Sequence, residues 1–183
     1  MNLNDLITKR RALRSIEKVT ITDDMIYQLA DAAKMAPSCY NKQPWHFVFV
    51  RSENQLEKMH EVMSKGNEWT YNSSLMIAVY SRKEEDCIVG SREYYAFDTG
   101  MASAFLQLKA VELGLSIHPI AGFNEEKAKT ILNIPDEYQL LTILICGKET
   151  DRFWSSLGDQ MLQIEKNRPP RKSFEEFCSI DKQ

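Results

Sequence analysis

Glycine is scarce in this 183-residue chain: there are seven, and none falls in a GxGxxG or GxxxxGK[ST] arrangement. This excludes the dinucleotide fingerprint and the phosphate loop, where glycines let backbone N–H groups close on phosphates. A nucleotide-like ligand would need its phosphate held by side chains. The four cysteines (Cys39, Cys87, Cys146 and Cys178) form no CxxC, and His46, His60 and His118 form no HExxH. No metal site is expected from such spacing. The opening residues lack the apolar run of a secretion signal, and no stretch is long enough to span a membrane. The expectation is a cytoplasmic protein with unpaired cysteines and no membrane partner. Net charge is −3, which gives no electrostatic support for nucleic-acid binding. Repeats and low-complexity tracts are also missing.

What is present is 43% apolar and 27% charged, an ordinary balance for one globular domain with a sizeable core. Asn4 or Asp5 is expected to start a first helix carrying Leu6, Ile7 and Leu13. Thr22 is a good N-cap for a helix bearing Ile26, Leu29, Ala30 and Ala33, which Pro37 ends. Residues 45–50 read as a strand, and Asn54 is expected to cap a helix through Met63. The apolar run 75–80 predicts a strand covered on both faces. A long helix over 94–113 carries Phe97, Met101, Ala104, Phe105, Leu108 and Val111 at helical spacing, closed by Gly114. A short strand at 117–120, a helix at 125–132 and a strand at 140–146 stopped by Gly147 follow. Beyond Asp151 the pattern weakens, and the basic, proline-bearing run from Lys166 to Lys172 predicts an extended arm. Periodicity alone allows either an α+β or an α/β arrangement.

Four segments have the chemistry of a binding site, and each has a plainer reading. Arg10, Arg11 and Arg14 could clamp a phosphate in bidentate fashion, although a solvated basic face is the favoured reading in isolation. The loop from Pro37 through Ser38, Cys39 and Asn41 to Trp45 could present backbone groups and an amide to a planar heterocycle, or be an ordinary turn. Pro119, Ile120, Ala121 and Gly122 could let backbone N–H groups approach a ligand, or form a plain strand-to-helix turn. Lys166, Arg168 and Arg171 could complete a phosphate site, or be a solvated terminus.

In order along the chain, these segments resemble the flavin-dependent nitroreductase family. Arg10-Arg11-x-x-Arg14 resembles its RRSxR/K signature, residues 36–45 its APSxxNxQPW loop, and Asp98-Thr99-Gly100-Met101-Ala102 its central helix. Residues 119–123 resemble its PIxGF turn, and Ile134-Pro135 with the strand to Gly147 its closing segment. Ala12 stands where that signature commonly has a hydroxyl residue, and the 82–92 segment is short beside larger members. The resemblance implies an α+β, nitroreductase-like fold: a central, mostly antiparallel sheet flanked by helices in an intertwined homodimer. It implies one domain over 1–183, with 151–183 as an extended C-terminal arm.

It also implies FMN as cofactor. Arg10, Arg11, Ala12 and Arg14 would lie at its phosphate and ribityl/N1 side, with Lys166, Arg168 and Arg171 completing the clamp. Pro37, Ser38 and Cys39 would meet the ring from the partner chain, and Asn41 would bind near its pyrimidine edge. Pro119, Ile120, Ala121 and Gly122 would bring N–H groups near N5, with Asn67 also reaching the flavin. No side-chain general acid is evident, so the expectation is of binding residues without a catalytic one. The implied function is ping-pong transfer of hydride from NAD(P)H to a small electron acceptor such as a nitroaromatic or quinone. Reductive dehalogenation or flavin breakdown on the same fold, and a non-enzymatic FMN-binding protein, are the alternatives; a plain protein-interaction module without cofactor ranks below them.

Overall fold

The computed structural model describes residues 1–153 and 157–182. Helix α1 (Leu3–Lys9) opens with a capping box in which Asn2 accepts from the Asp5 N–H and Asp5 accepts from the Asn2 N–H. That box starts the helix ahead of Asn4, and the chain leaves it at Arg10, so Leu13 is buried outside it. Strand β1 (Ile16–Glu17) leads to α2 (Asp23–Lys34), where the Thr22 hydroxyl accepts from the Met25 N–H. Next come β2 (His46–Val50), α3 (Glu53–His60) with Ser52 at its N-cap, and β3 (Leu75–Ser81). A two-strand hairpin, β4 (Ile88–Val89) and β5 (Arg92–Glu93), precedes the long helix α4 (Tyr95–Glu112). Gly114 follows α4 at φ +80, a left-handed C-terminal stop. The remaining elements are β6 (Ser116–Ile120), α5 (Glu125–Leu132), β7 (Gln139–Glu149) and α6 (Asp159–Lys166).

All pairings in the main sheet are antiparallel, in the order β1-β7-β3-β2 with β6 also on β7. β3 takes one edge of β7. β6 and then β1 share the other, at Ile143–Gly147 and Lys148–Glu149 respectively. Period-two alternation sends Leu75, Ile77 and Val79 of β3 to one face, against α2 and α4. Met76 and Ala78 go to the other face, with Leu56, Met59 and Ala128 of α3 and α5. Both faces are covered, as the unbroken apolar run predicts. Each fully buried Leu or Ile there is worth about 1.5–3 kcal/mol of burial.

Two elements differ from their expectation for identifiable reasons. Gly147 does not stop β7, because β1 crosses there: a Cβ at this position would lie 3.0 Å from the Glu17 carbonyl oxygen and 3.1 Å from Ile16 Cβ. The glycine admits a neighbouring strand and the ladder continues. On α4 the buried residues are Asp98, Thr99, Ala102, Ser103, Leu106, Ala110 and Val111, so the buried face is rotated from the expected stripe and keeps only Val111 of it. Phe97 and Phe105 are 63% and 41% exposed. The helix is apolar almost all round, so the spacing could not choose which side meets its own sheet.

Candidate cofactor site

The arginine segment and the basic tail, separated by about 150 residues, meet. Arg10, Arg11, Ala12, Ile164, Arg168, Pro169 and Arg171 line one cavity of about 260 Å³. Burial, then the neighbouring Arg168 and Arg171 cations, hold the Arg10 guanidinium below its ordinary range. A guanidinium stays protonated regardless, so this is a positive cluster in want of an anion. Two members have structural duties. Arg11 Nη2 donates to the carbonyls of Ile164 and Glu165, at 2.7 and 2.9 Å, closing the end of α6. Arg168 donates to the carbonyls of Thr8 and Arg10, tying the tail to the end of α1. Lys166 is turned elsewhere, with Nζ 5.6 Å from the centre of the Phe153 ring.

One residue that sequence reasoning missed fixes this junction. The Glu165 carboxylate is 1% exposed and accepts from the Arg14 N–H at 3.0 Å and the Ser15 N–H at 3.0 Å. Arg14 Nη1 stands 3.8 Å from the same carboxylate. Glu165 lies on a helix that the weak pattern beyond Asp151 does not announce, so no sequence signal pointed to it. His118 backs the arginine segment from β6: a carbonyl can only accept, so its Nδ1–H donates to the Leu13 oxygen at 3.1 Å. Its ring lies 4.8 Å from that of Trp69. Burial pushes its pKa down to about 4, with the Arg14 and Arg10 charges adding to that and the Leu13 carbonyl opposing it.

At the far end of β6, the turn after Ile120 exposes Ala121 and half-buries Gly122. Their N–H groups donate to no partner among the described residues. Asn67 Nδ2 donates to the Gly122 carbonyl at 2.9 Å, and its Oδ1 accepts from Trp69 Nε1 at 3.2 Å. Asn67 is thereby brought to the turn, with both ends of its amide engaged in holding it. A Cβ on Gly122 would come within 2.7 Å of Asn67 Nδ2, so the approach requires glycine. Pro119 and Ile120 lie in β6 itself, Pro119 exposed and Ile120 in the core.

The third segment stands apart. Pro37, Ser38, Cys39 and Asn41 sit beside the N-terminal end of α4, where the buried Asp98 carboxylate accepts from the Cys39 N–H at 2.6 Å. Tyr40, Asn41 and Gln43 all have positive φ, at 49, 56 and 51. Such non-glycine conformations persist only where the surroundings impose them, and they gather at functional sites. The Asn41 side chain is exposed and makes no hydrogen bond among the described residues. No hydrogen bond among those residues joins this loop to the arginine cavity or to the Gly122 turn. β6 thus carries His118, which bonds the arginine segment at Leu13, and the Gly122 turn follows its far end.

Cys39 corrects the expectation of unpaired cysteines: it is joined by a disulfide to Cys87, 48 residues on. Distance in sequence carried no information, because Cys39 precedes β2, Cys87 follows β3, and the start of β2 pairs with the end of β3. The argument from unpaired thiols to a cytoplasmic location loses its footing with it. No helix among the described residues is long and apolar enough to cross a membrane.

A model of the Nitroreductase family matches residues 7–68 and 63–148. The chain belongs to the nitroreductase family. A nitroreductase family protein of Clostridium novyi NT has a crystal structure similar to this chain at TM-score 0.76 and 30% identity, over 82% of this chain and 87% of that one. A crystal structure described as an oxidoreductase containing FMN is similar at TM-score 0.83 and 25% identity, over 100% of this chain and 93% of that one. Among curated relatives, an Archaeoglobus fulgidus protein provisionally named an NADH dehydrogenase/NAD(P)H nitroreductase is 29% identical, covering 80% of this chain and 84% of its own length.

Proposed function

We propose that this nitroreductase-family chain is an FMN-dependent oxidoreductase that takes hydride from NAD(P)H and passes electrons to a small acceptor such as a nitroaromatic or quinone. The observation that carries the reading is the convergence of Arg10, Arg168 and Arg171 on one cavity, with the Arg10 guanidinium depressed by burial and by the other two charges. A phosphate dianion answers that cluster, since guanidinium groups bind its oxygens in charge-assisted pairs. FMN, when bound, supplies the redox chemistry, accepting hydride and giving electrons to the second substrate.

The chain's own residues bind and orient. Arg10 and Arg171 hold the phosphate, and Arg11 and Arg168 fix the walls around it. Arg14, partly neutralised by Glu165, lends positive charge beyond the phosphate. Ala121 and Gly122 offer N–H groups, without a partner among the described residues, at a turn that Asn67 keeps in place. The exposed Phe97 and Phe105 of α4 favour a homodimer that covers them, in which Pro37, Ser38, Cys39 and Asn41 come to the site from the partner. Residues 1–183 act as one domain in this reading, with 151–183, including α6, as the arm that completes the clamp.

The test is a visible spectrum of the purified protein, before and after NADH or NADPH. The reading expects a yellow protein bleached by reduced nicotinamide. A colourless protein that ignores added FMN overturns it. Products with nitroaromatic, quinone, halophenol and oxygen acceptors then separate nitro or quinone reduction from dehalogenation or flavin breakdown. FMN that binds and never turns over points to a storage protein.

A further inference from the structure

We propose that Cys39–Cys87 is a thiol-exchange site, a disulfide that an external dithiol opens in the folded protein, releasing the β4–β5 hairpin from the 37–44 loop. The bond joins two segments that little else joins. On one side is the loop with positive φ at Tyr40, Asn41 and Gln43, held by the Cys39 N–H to Asp98 and the Gln43 N–H to the Ser38 hydroxyl. On the other is the hairpin carrying Ile88 and Val89, both exposed. Among the described residues, the other bonds of its Asp86–Cys87 stem to neighbours are the Tyr94 N–H to the Cys87 carbonyl, the Asp86 N–H to the Lys83 carbonyl, and Lys42 Nζ to the Asp86 carbonyl.

The surroundings give the exchange a direction. Cys39 is half-buried while Cys87 is buried, so an incoming thiolate meets Cys39 first. A carboxylate oxygen of Asp86 and the two sulfurs all lie within 4.8 Å of one another. Asp86 is itself buried, its Oδ1 accepting from the Cys87 N–H and the Asp98 carboxyl lying beside it. Burial, with the neighbouring Asp98 carboxyl, raises its pKa. In the first step the dithiol's thiolate attacks Cys39 Sγ, the Cys39–Cys87 bond breaks, and its electron pair leaves on Cys87 Sγ, which takes a proton from solvent. In the second step the dithiol's other sulfur, deprotonated by solvent, attacks the mixed disulfide and expels Cys39 as a thiolate. The dithiol ends oxidised to a cyclic disulfide, and Cys39, protonated in turn from solvent, leaves the protein with two thiols. Cys146 takes no part, because complete burial pushes its thiol far up.

The exchange does not rest on the flavin reading above, and it is measured without flavin. Air-exposed native protein is alkylated with iodoacetamide before and after dithiothreitol, and the labelled peptides are mapped by mass. The expected result is a gain of two labelled thiols per chain, at Cys39 and Cys87, together with faster tryptic cleavage at Arg92. Cys87→Ser should leave Cys39 labelled without dithiothreitol and abolish the dithiol dependence of cleavage. Two results overturn the proposal: labelling of both cysteines before any reductant, or no gain until the protein is denatured. If FMN binds normally while no thiols appear, the exchange alone is lost.

Discussion

Replacing Glu165 by alanine should separate the two halves of the cofactor site. Its carboxylate, 1% exposed, accepts from the Arg14 and Ser15 N–H groups, each at 3.0 Å, and faces the Arg14 guanidinium at 3.8 Å. A hydrogen bond to a charged acceptor contributes about 1.5–3 kcal/mol. Two are lost, and two backbone donors are left where water is excluded. The expected destabilisation is about 3–5 kcal/mol, the range for breaking one side of a buried ionic contact, against a total of about 5–15 kcal/mol for a typical domain. Glu165→Gln keeps one oxygen acceptor and should cost about 1–2 kcal/mol. Urea unfolding followed by circular dichroism gives the stability. Titration of flavin fluorescence gives the affinity, which should fall more for alanine than for glutamine. If Glu165→Ala unfolds at the wild-type midpoint and binds FMN as tightly as wild type, the view of Glu165 as the pin between arm and arginine segment is wrong.

Other perturbations probe other parts of the account. His118 has a folded pKa of about 4 against 6.5 when exposed, so it is neutral in the folded state. The unfolded chain takes up its proton first, so stability is complete above pH 6.5 and is lost as pH falls from 6.5 toward 4, by about 3 kcal/mol in all; His118→Gln should flatten that stretch of the unfolding-versus-pH curve. Gly122→Ala places a carbon 2.7 Å from Asn67 Nδ2 and should cost about 1–3 kcal/mol, with steady-state NAD(P)H oxidation falling because the turn moves; unchanged turnover would remove the turn from the site. Phe105→Glu on the uncovered face of α4 should shift the protein to monomers in sedimentation and lower FMN binding with it. A dimer that persists unchanged places the interface elsewhere.

The strands and most helices were legible because their signals are local. Thr22 caps its helix where the pattern says, and the unbroken apolar run of β3 is buried on both faces. The family resemblance named the arginines, the Gly122 turn and the basic tail as candidates before any geometry was known, and the structure brings Arg10, Arg168 and Arg171 to one cavity. What escaped was long-range. Gly147 reads as a terminator until β1 is seen crossing it. α4 could not declare which apolar side faces its own sheet. Glu165 and the Cys39–Cys87 bond depend on segments about 150 and 48 residues apart meeting in space, which no local spacing encodes.

Flavin titrations with FMN and with riboflavin, which lacks only the phosphate, test the central claim most directly when run on wild type and on the Arg10→Ala/Arg171→Ala double variant. If guanidinium groups from both ends of the chain grip that phosphate, wild type prefers FMN by at least about 100-fold, as two charge-assisted contacts of about 1.5–3 kcal/mol each require. The double variant then loses most of that preference while keeping its riboflavin affinity. Equal wild-type affinity for the two flavins, or a preference that survives both substitutions, contradicts the account.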